Sequence, residues 1–337
     1  MRDPLDRRWD DFVAASADAT HYHRSGWRDI IRDVFGHQSY YLYAVDASDH
    51  FVGVLPLMLV KSLLFGSHLV SMPFLNSGGI LASSDESAAA LSEQARRLAL
   101  DCSVDNLQLR ERQGRAGFSA QTDKITMILD LPASEEMLWA GLGSKLRAQV
   151  RRCQREDVRF ASGGSELVQD FYMVFSQNMR DLGTPVYPRR FFQRIIEAFP
   201  DEVTIMVVYL AGKPVAAAFL LAYKDTLEIP WASTLRSANK YSVNMYLYWN
   251  VITHAIKNGY AHFDFGRCSR DKGTYQFKKQ WDTREVQLVW NNYGKNGDQH
   301  SRVSAENSKY SLLISAWQRL PLPVANILGP WIIKGVP

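Results

Sequence analysis

Cysteine is scarce. The 337 residues hold three, Cys102, Cys153 and Cys268, and no two of them form a Cys-x-x-Cys pair. Three thiols cannot all pair within one chain, so a disulfide framework and a cysteine zinc site are both excluded, and the usage fits a reducing compartment. The histidines show no His-Glu-x-x-His or other ligand spacing, and no Gly-x-Ser-x-Gly elbow occurs, so neither a metal centre nor a serine hydrolase is expected. No run of about 18 apolar residues is present, which excludes a membrane-spanning helix. The start, Met1-Arg2-Asp3-Pro4-Leu5-Asp6, is charged and lacks the apolar segment of a signal peptide, so a cytoplasmic location is expected. Charge of one sign is lacking too. The formal net charge is +4, too small to argue general nucleic-acid binding.

What is present is a large core. The chain is 46% hydrophobic and 22% charged, and its length suits about two domains. Its 9 Trp, 15 Tyr and 16 Phe exceed what a minimal core needs, which suggests clefts lined with rings beside the core itself.

One pattern occurs twice. In 25–110, Trp27, Ile30, Ile31, Val34 and Phe35 have helical spacing. Strands follow at Tyr40–Val45, Phe51–Val60 and near Ser67–Met72, then a loop, a helix over about Glu86–Asp101 and a strand at Asn106–Arg110. In 189–266 a helix around Phe191–Phe199, with Pro188 at its first position, leads to strands at Val203–Leu210, Val215–Tyr223 and Thr226–Thr234. A loop, a helix over Asn244–Asn258 and a strand at His262–Gly266 complete the copy. Between the copies, Leu138, Leu142, Leu146 and Val150 mark one helical stripe, so Gly141-Leu142-Gly143-Ser144-Lys145 reads as helix. A second helix is expected over about Glu166–Asp181, ended by Gly183. The repeated order resembles the GNAT acyltransferase fold. It implies an α/β chain of tandem, duplicated GNAT-like domains with mixed, mainly antiparallel sheets flanked by helices. The expected domains are 1–130, 131–300 with a leading basic helix, and an apolar C-terminal tail over 301–337.

A second resemblance is more specific. Ala261-His262-Phe263-Asp264-Phe265-Gly266-Arg267 is followed by Gly273-Thr274-Tyr275-Gln276-Phe277-Lys278-Lys279-Gln280-Trp281. A strand ending in Asp-Phe-Gly, then Gly-x-x-x-Phe-Lys-x-x-aromatic, resembles the Fem-type (FemABX) peptidyltransferases. It is closer still to the FemAB-like proteins found beside exosortase and exopolysaccharide gene clusters. The resemblance runs from about Trp27 to Trp290. It implies aminoacyl or N-acyl transfer to an amine of a cell-envelope or exopolysaccharide precursor, with no tightly bound cofactor and with aminoacyl-tRNA or an acyl-CoA as the donor co-substrate. Many Fem-type enzymes carry a long helical arm in the second domain. No heptad insert occurs here, which weighs against tRNA.

The resemblance makes Lys278 the candidate to stabilise the oxyanion that acyl transfer builds on a carbonyl oxygen, with Asp264 as base or anchor. Arg267 and Arg270 follow a strand end and could hold a phosphate or carboxylate. Arg147, Arg151 and Arg155 fall at four-residue spacing on the linker helix and form a second candidate anion grip, against the bland reading of a solvated face. Tyr275, Phe277, Trp231, Arg236 and Asn244 complete the substrate-binding candidates, with core packing the alternative for the rings. Arg236–Asn244 lies where CoA-using relatives carry a glycine-rich phosphate loop, but holds no glycine. Asn76-Ser77-Gly78-Gly79 in the first copy reads as a turn or a phosphate loop. The tail, with Leu320-Pro321-Leu322-Pro323, Trp317 and Trp331, packs over the core or touches the inner membrane face. The implied partner is an anionic nucleotide- or lipid-linked precursor, with tRNA as a second partner if it is the donor. Two other functions remain open: an acyl-CoA-dependent N-acetyltransferase, and a non-catalytic scaffold of a polysaccharide or sorting assembly.

Overall fold

The computed structural model describes residues 4–294 and 308–337. Helices α1 (Pro4–Ala15) and α2 (Gly26–Phe35) lead into β1 (Gln38–Val45), β2 (Phe51–Ser62) and β3 (Gly66–Val70). A short β4 (Leu81–Ala82), α3 (Asp85–Asp101), β5 (Asn106–Glu111) and β6 (Ser119–Gln121) follow. Next come β7 (Ile125–Asp130), α4 (Glu135–Gly141), α5 (Ser144–Gln154), β8 (Val158–Gly163), α6 (Val168–Leu182) and α7 (Arg189–Ala198). The second run of strands is β9 (Val203–Leu210), β10 (Lys213–Tyr223) and β11 (Thr226–Thr234), then α8 (Val243–Lys257), β12 (His262–Cys268) and α9 (Gly273–Lys279). The last elements are β13 (Arg284–Gln287), β14 (Val289–Gly294), α10 (Ser308–Gln318) and α11 (Leu322–Ile333).

These elements form two units, each with one sheet. Of the described residues, 4–124, 287–294 and 334–337 belong to the first, and 125–286 with 308–333 to the second. The first sheet runs β1-β2-β3-β5-β14-β6, with β4 on β2; the second runs β13-β7-β12-β11-β10-β9-β8. The duplication is plain in the registers. Each unit has three antiparallel strands and then a parallel partner, β5 beside β3 and β12 beside β11. Parallel neighbours need a crossover, and α3 and α8 supply it. The division differs from the expected one at 130/131. Strand β7 pairs with β12 in the second sheet, and β14, expected in the second domain, pairs with β5 in the first. A local pattern identifies a strand but not its partner. The expected start of the tail at 301–307 lies outside the described residues.

Most helices follow their apolar spacing. In α2, Trp27, Ile30, Ile31 and Phe35 are buried, and Gly36 ends the helix at φ 69°. In α7, Phe191, Phe192 and Ile195 are buried, with Pro188 extended just outside the helix rather than within it. Gly183 ends α6 at φ 79°. The expected continuous helix through 141–145 is broken. Leu142 and Gly143 take ψ of 140° and 146°, so α4 stops and α5 starts afresh. Glycine on both sides of Leu142 makes continuation costly. Burying Leu138, Leu142, Leu146 and Val150 together survives the break.

The first unit buries a histidine in its core. His23 is buried, with Nδ1 accepting from Thr20 N at 3.0 Å and Nε2 against Gly79 O at 3.2 Å. Burial pushes its pKa down to about 4, opposed by those backbone bonds and reinforced by the charge of Arg112. A histidine that is neutral when folded and ordinary when unfolded stabilises fully above pH 6.5, and that contribution is lost as pH falls toward 4. The expected loss is about 3 kcal/mol at about 1.4 kcal/mol per pKa unit. Urea unfolding of wild type and His23→Gln between pH 7 and 4 checks this: the gap between their midpoints should narrow as pH falls.

Candidate active site

The two parallel strands of the second unit part company early. Thr226–Glu228 pairs with His262–Asp264, and no further pair joins β11 to β12. The cause lies in β12. Gly266 sits at φ 71°, a conformation open to glycine without strain, and the register against β7 shifts between Asp264 and Arg267. Asp264 pins this bulge. Its Oδ1 accepts from Gly266 N at 2.8 Å and from the Thr126 hydroxyl on β7.

Lys278 closes the arrangement from α9. Its ammonium donates to Gly266 O at 2.6 Å and Arg267 O at 3.0 Å, and the residue is only 6% exposed. It is therefore no solvated surface lysine. An ammonium has three N–H donors, so one remains without a partner among the described residues. Burial lowers its pKa below the ordinary lysine value, and the nearby Cys268, Asp264 and Glu228 oppose that shift. Glu228 stands directly opposite Asp264 in the parallel register, half-buried, on the last paired residue of β11. Sequence reasoning missed it. The available signal was a lone carboxylate inside the apolar strand Thr226-Leu227-Glu228-Ile229-Pro230-Trp231.

The other expected residues fall into four places. Around β12 and α9, Arg267 is exposed just beyond the bend. Arg270 Nε and the Tyr275 hydroxyl donate to the two oxygens of Glu285, at 2.8 and 2.7 Å, and hold that carboxyl below its ordinary range. Phe277 packs edge-on to Tyr248 at 4.7 Å, and Tyr248 stacks on Phe265 at 5.5 Å, fixing α9 to α8 and β12. At the start of α8, Arg236 donates to Asp181 O at 2.7 Å and Asn244 Oδ1 accepts from Thr234 at 3.2 Å. No side chain caps that helix N-terminus.

Arg147, Arg151 and Trp231 each have partners within the second unit. Arg147 donates to Trp139 O and Ala140 O at 3.3 Å, closing the end of α4, and Arg151 lies 5.1 Å over the Trp139 ring. Helix C-termini attract cations to their unpaired carbonyls, which explains the placement. Trp231 is a core residue, with its ring 5.2 Å from Phe192 and 5.6 Å from Phe191 and Phe219.

The first unit treats the same position differently. Beyond the ladder of His68–Val70 with Asn106–Gln108, Ser71 N donates to Gln108 O at 2.9 Å and Arg110 N to Ser71 Oγ at 2.8 Å. The buried Arg110 guanidinium donates to Leu75 O at 2.9 Å and lies 4.4 Å over Trp290. The gap is stitched shut by the chain itself. A cavity of about 430 Å³ nearby is lined by Ser77, Gly78, Gly79, Ser84 and Arg112, among others. Gly79 is required there because a Cβ would collide with Glu111, whose carboxylate accepts from Ile80 N at 2.7 Å. The glycine loop is thus explained by packing. Among the described residues no cluster of His, Cys, Asp and Glu could hold a metal ion.

A duplicated unit of this topology, with a parallel pair that parts beside a crossover helix, is the GNAT class of α/β fold, here in tandem. Residues 143–279, all in the second unit, match the acetyltransferase (GNAT) domain family. The crystal structure of FemX is similar with a TM-score of 0.64 at 13% identity, over 86% of this chain and 96% of that one. The C-terminal domain of a putative lysylphosphatidylglycerol synthetase from Agrobacterium fabrum gives 0.57 at 14%, over 87% and 93%. A tandem GNAT protein from the clavulanic acid biosynthesis pathway gives 0.55 at 9%, over 88% and 96%. No curated protein matches the chain. The GNAT-fold acetyltransferase domain supports acyl transfer as the class of chemistry, and the structural likenesses are likenesses of fold.

Lys278→Met removes the bridge between β12 and α9 and takes the ammonium donor away from the buried Gly266 carbonyl. We expect a loss of about 1–3 kcal/mol in urea unfolding at neutral pH. The pH dependence has a definite sign. Because the folded pKa lies below 10.5, the unfolded chain holds the extra proton in the window between them, and the penalty of the buried charge is relieved as pH rises. The stability gap between wild type and variant should therefore widen from neutral pH toward 10.

Proposed function

We propose that the second unit is the catalytic one and that it transfers an aminoacyl or N-acyl group to an amine of a cell-envelope or exopolysaccharide precursor. The observation that carries this reading is the buried Lys278, fixed at the bend of β12 with one N–H in hand and Glu228 beside it. The substrate amine attacks the carbonyl carbon of an activated ester or thioester. The new C–N bond forms, negative charge collects on the carbonyl oxygen, and the bond to the leaving oxygen or sulfur breaks. Lys278 donates to that oxyanion. Glu228 takes the amine proton, while Asp264 anchors the bulge through Thr126 and Gly266. Arg267, exposed just past the bend, meets the acidic part of the precursor. The likeness to FemX and to a protein named for lysylphosphatidylglycerol synthesis supports an envelope acceptor, nucleotide- or lipid-linked.

A second reading has its own support. The matching domain family is named for acetyl transfer, and one tandem neighbour is described with reference to acetyl-CoA. An acyl-CoA donor would set its phosphates at the start of α8, where the chain forms a short 3-10 helix without glycine (Arg236–Tyr241) and Ser242 takes φ 60°. The purified protein, assayed with acyl-CoAs and with aminoacyl-tRNAs against amine acceptors, separates the donors. Turnover is expected with one class, and Glu228→Gln should lower kcat by about 10²- to 10⁴-fold with little change in melting temperature. Turnover untouched by Glu228→Gln would remove this mechanism. Absence of turnover with every donor, together with intact cellular function of Lys278→Ala, would favour the scaffold.

A further inference from the structure

Helix α11 is held to the second unit by one face only. Ala325, Gly329 and Ile333 recur every four residues and are buried. At Gly329 the helix comes so close to the chain at Val186 that a Cβ would meet Val186 N at 2.8 Å. Asn326 reaches Ser176 on α6 at 3.5 Å, and Arg180 of α6 donates to Leu320 O at 2.8 Å. The opposite face is apolar as well. Val324, Ile327, Leu328 and Trp331 follow i, i+3, i+4, i+7 spacing and are 39%, 66%, 44% and 77% exposed. A helix that is apolar all round belongs in surroundings that are apolar all round, and the protein supplies them on one side. Twelve residues rise about 18 Å, too short for a hydrocarbon core of about 30 Å. No helix among the described residues is long and apolar enough to cross a membrane.

Charge selects what covers the outer face. From Asn307 to Pro337 the sequence has three cations, Lys309, Arg319 and Lys334, and no Asp or Glu. A second copy of this segment would carry the same sign of charge. An anionic bilayer complements them, and an exposed Trp suits the boundary between headgroups and acyl chains. We propose that α11 lies flat in the interface of an anionic membrane. The Val324–Trp331 stripe sinks into the headgroup boundary, and the Ala325–Ile333 face carries the second unit with it. This surface is independent of the chemistry at Lys278, so the two readings stand or fall separately.

Full-length protein is sedimented with phosphatidylcholine vesicles, with and without phosphatidylglycerol. Co-sedimentation is expected with the anionic vesicles, weakening as salt is raised. Ile327→Asp combined with Trp331→Asp should cut the bound fraction about tenfold, since each change removes apolar contact with the bilayer. The circular dichroism and the melting temperature should stay unchanged, because both side chains point away from α6. Equal soluble fractions with and without vesicles would overturn the proposal. So would light scattering that finds a dimer dissolved by the double variant, since a second copy would then cover the stripe.

Discussion

A single ammonium in a protein interior governs the second unit. Burying a charge costs several kcal/mol unless polar groups surround it, and Lys278 is surrounded by the carbonyls of Gly266 and Arg267 and by carboxylates at Asp264 and Glu228. The two carbonyls reach it where β12 bends, just past the paired carboxylate residues Glu228 and Asp264. The bend needs Gly266 in the left-handed region, and it needs Asp264 to tie the bulge to β7. Remove the bend and β12 would continue alongside β11 as an ordinary parallel pair. The parting of the strands and the position of the lysine are therefore one feature. The first unit makes the contrast: the same topology carries Arg110 at the corresponding place, and its rigid fork ties loop carbonyls and a tryptophan ring together until the gap is closed.

Basic residues elsewhere, with Gln318 beside them, serve a similar structural end. Arg147 binds the carbonyls that finish α4, Arg236 and Gln318 both donate to Asp181 O near the end of α6, and Arg180 takes the carbonyl of Leu320. Helix C-termini leave four carbonyls each without partners, and long cationic side chains are well suited to them. Clusters of arginine in this sequence therefore report helix ends at least as much as ligands.

That distinction marks the limit of what the sequence made legible. Periodicity placed α2 and α7, and apolar runs bounded by short polar turns placed β9 and β11 with the bounds the structure has. The Asp264–Trp281 motif pointed to the corner where Asp264, Gly266 and Lys278 meet. Glu228 escaped because a strand residue becomes interesting only when its cross-strand neighbour is known, and that neighbour lies 36 positions away. Trp231 looked like a cleft wall because composition cannot tell a buried ring from a lining one. The break at Leu142 escaped because its apolar stripe survives the change of backbone. The partners of β7 and β14 escaped because pairing across a long stretch of chain leaves no local trace.

That last feature reaches into the history of each molecule as it is made. Leu109 of β5 pairs with Asn291 of β14. While a ribosome is still reading the intervening residues, the first sheet ends in an unprotected strand, the kind of edge that invites pairing with other chains. The amino-terminal half thus leaves the tunnel long before its sheet can be completed. A gene cut at 130/131 would yield two pieces, each missing a strand that the other encodes.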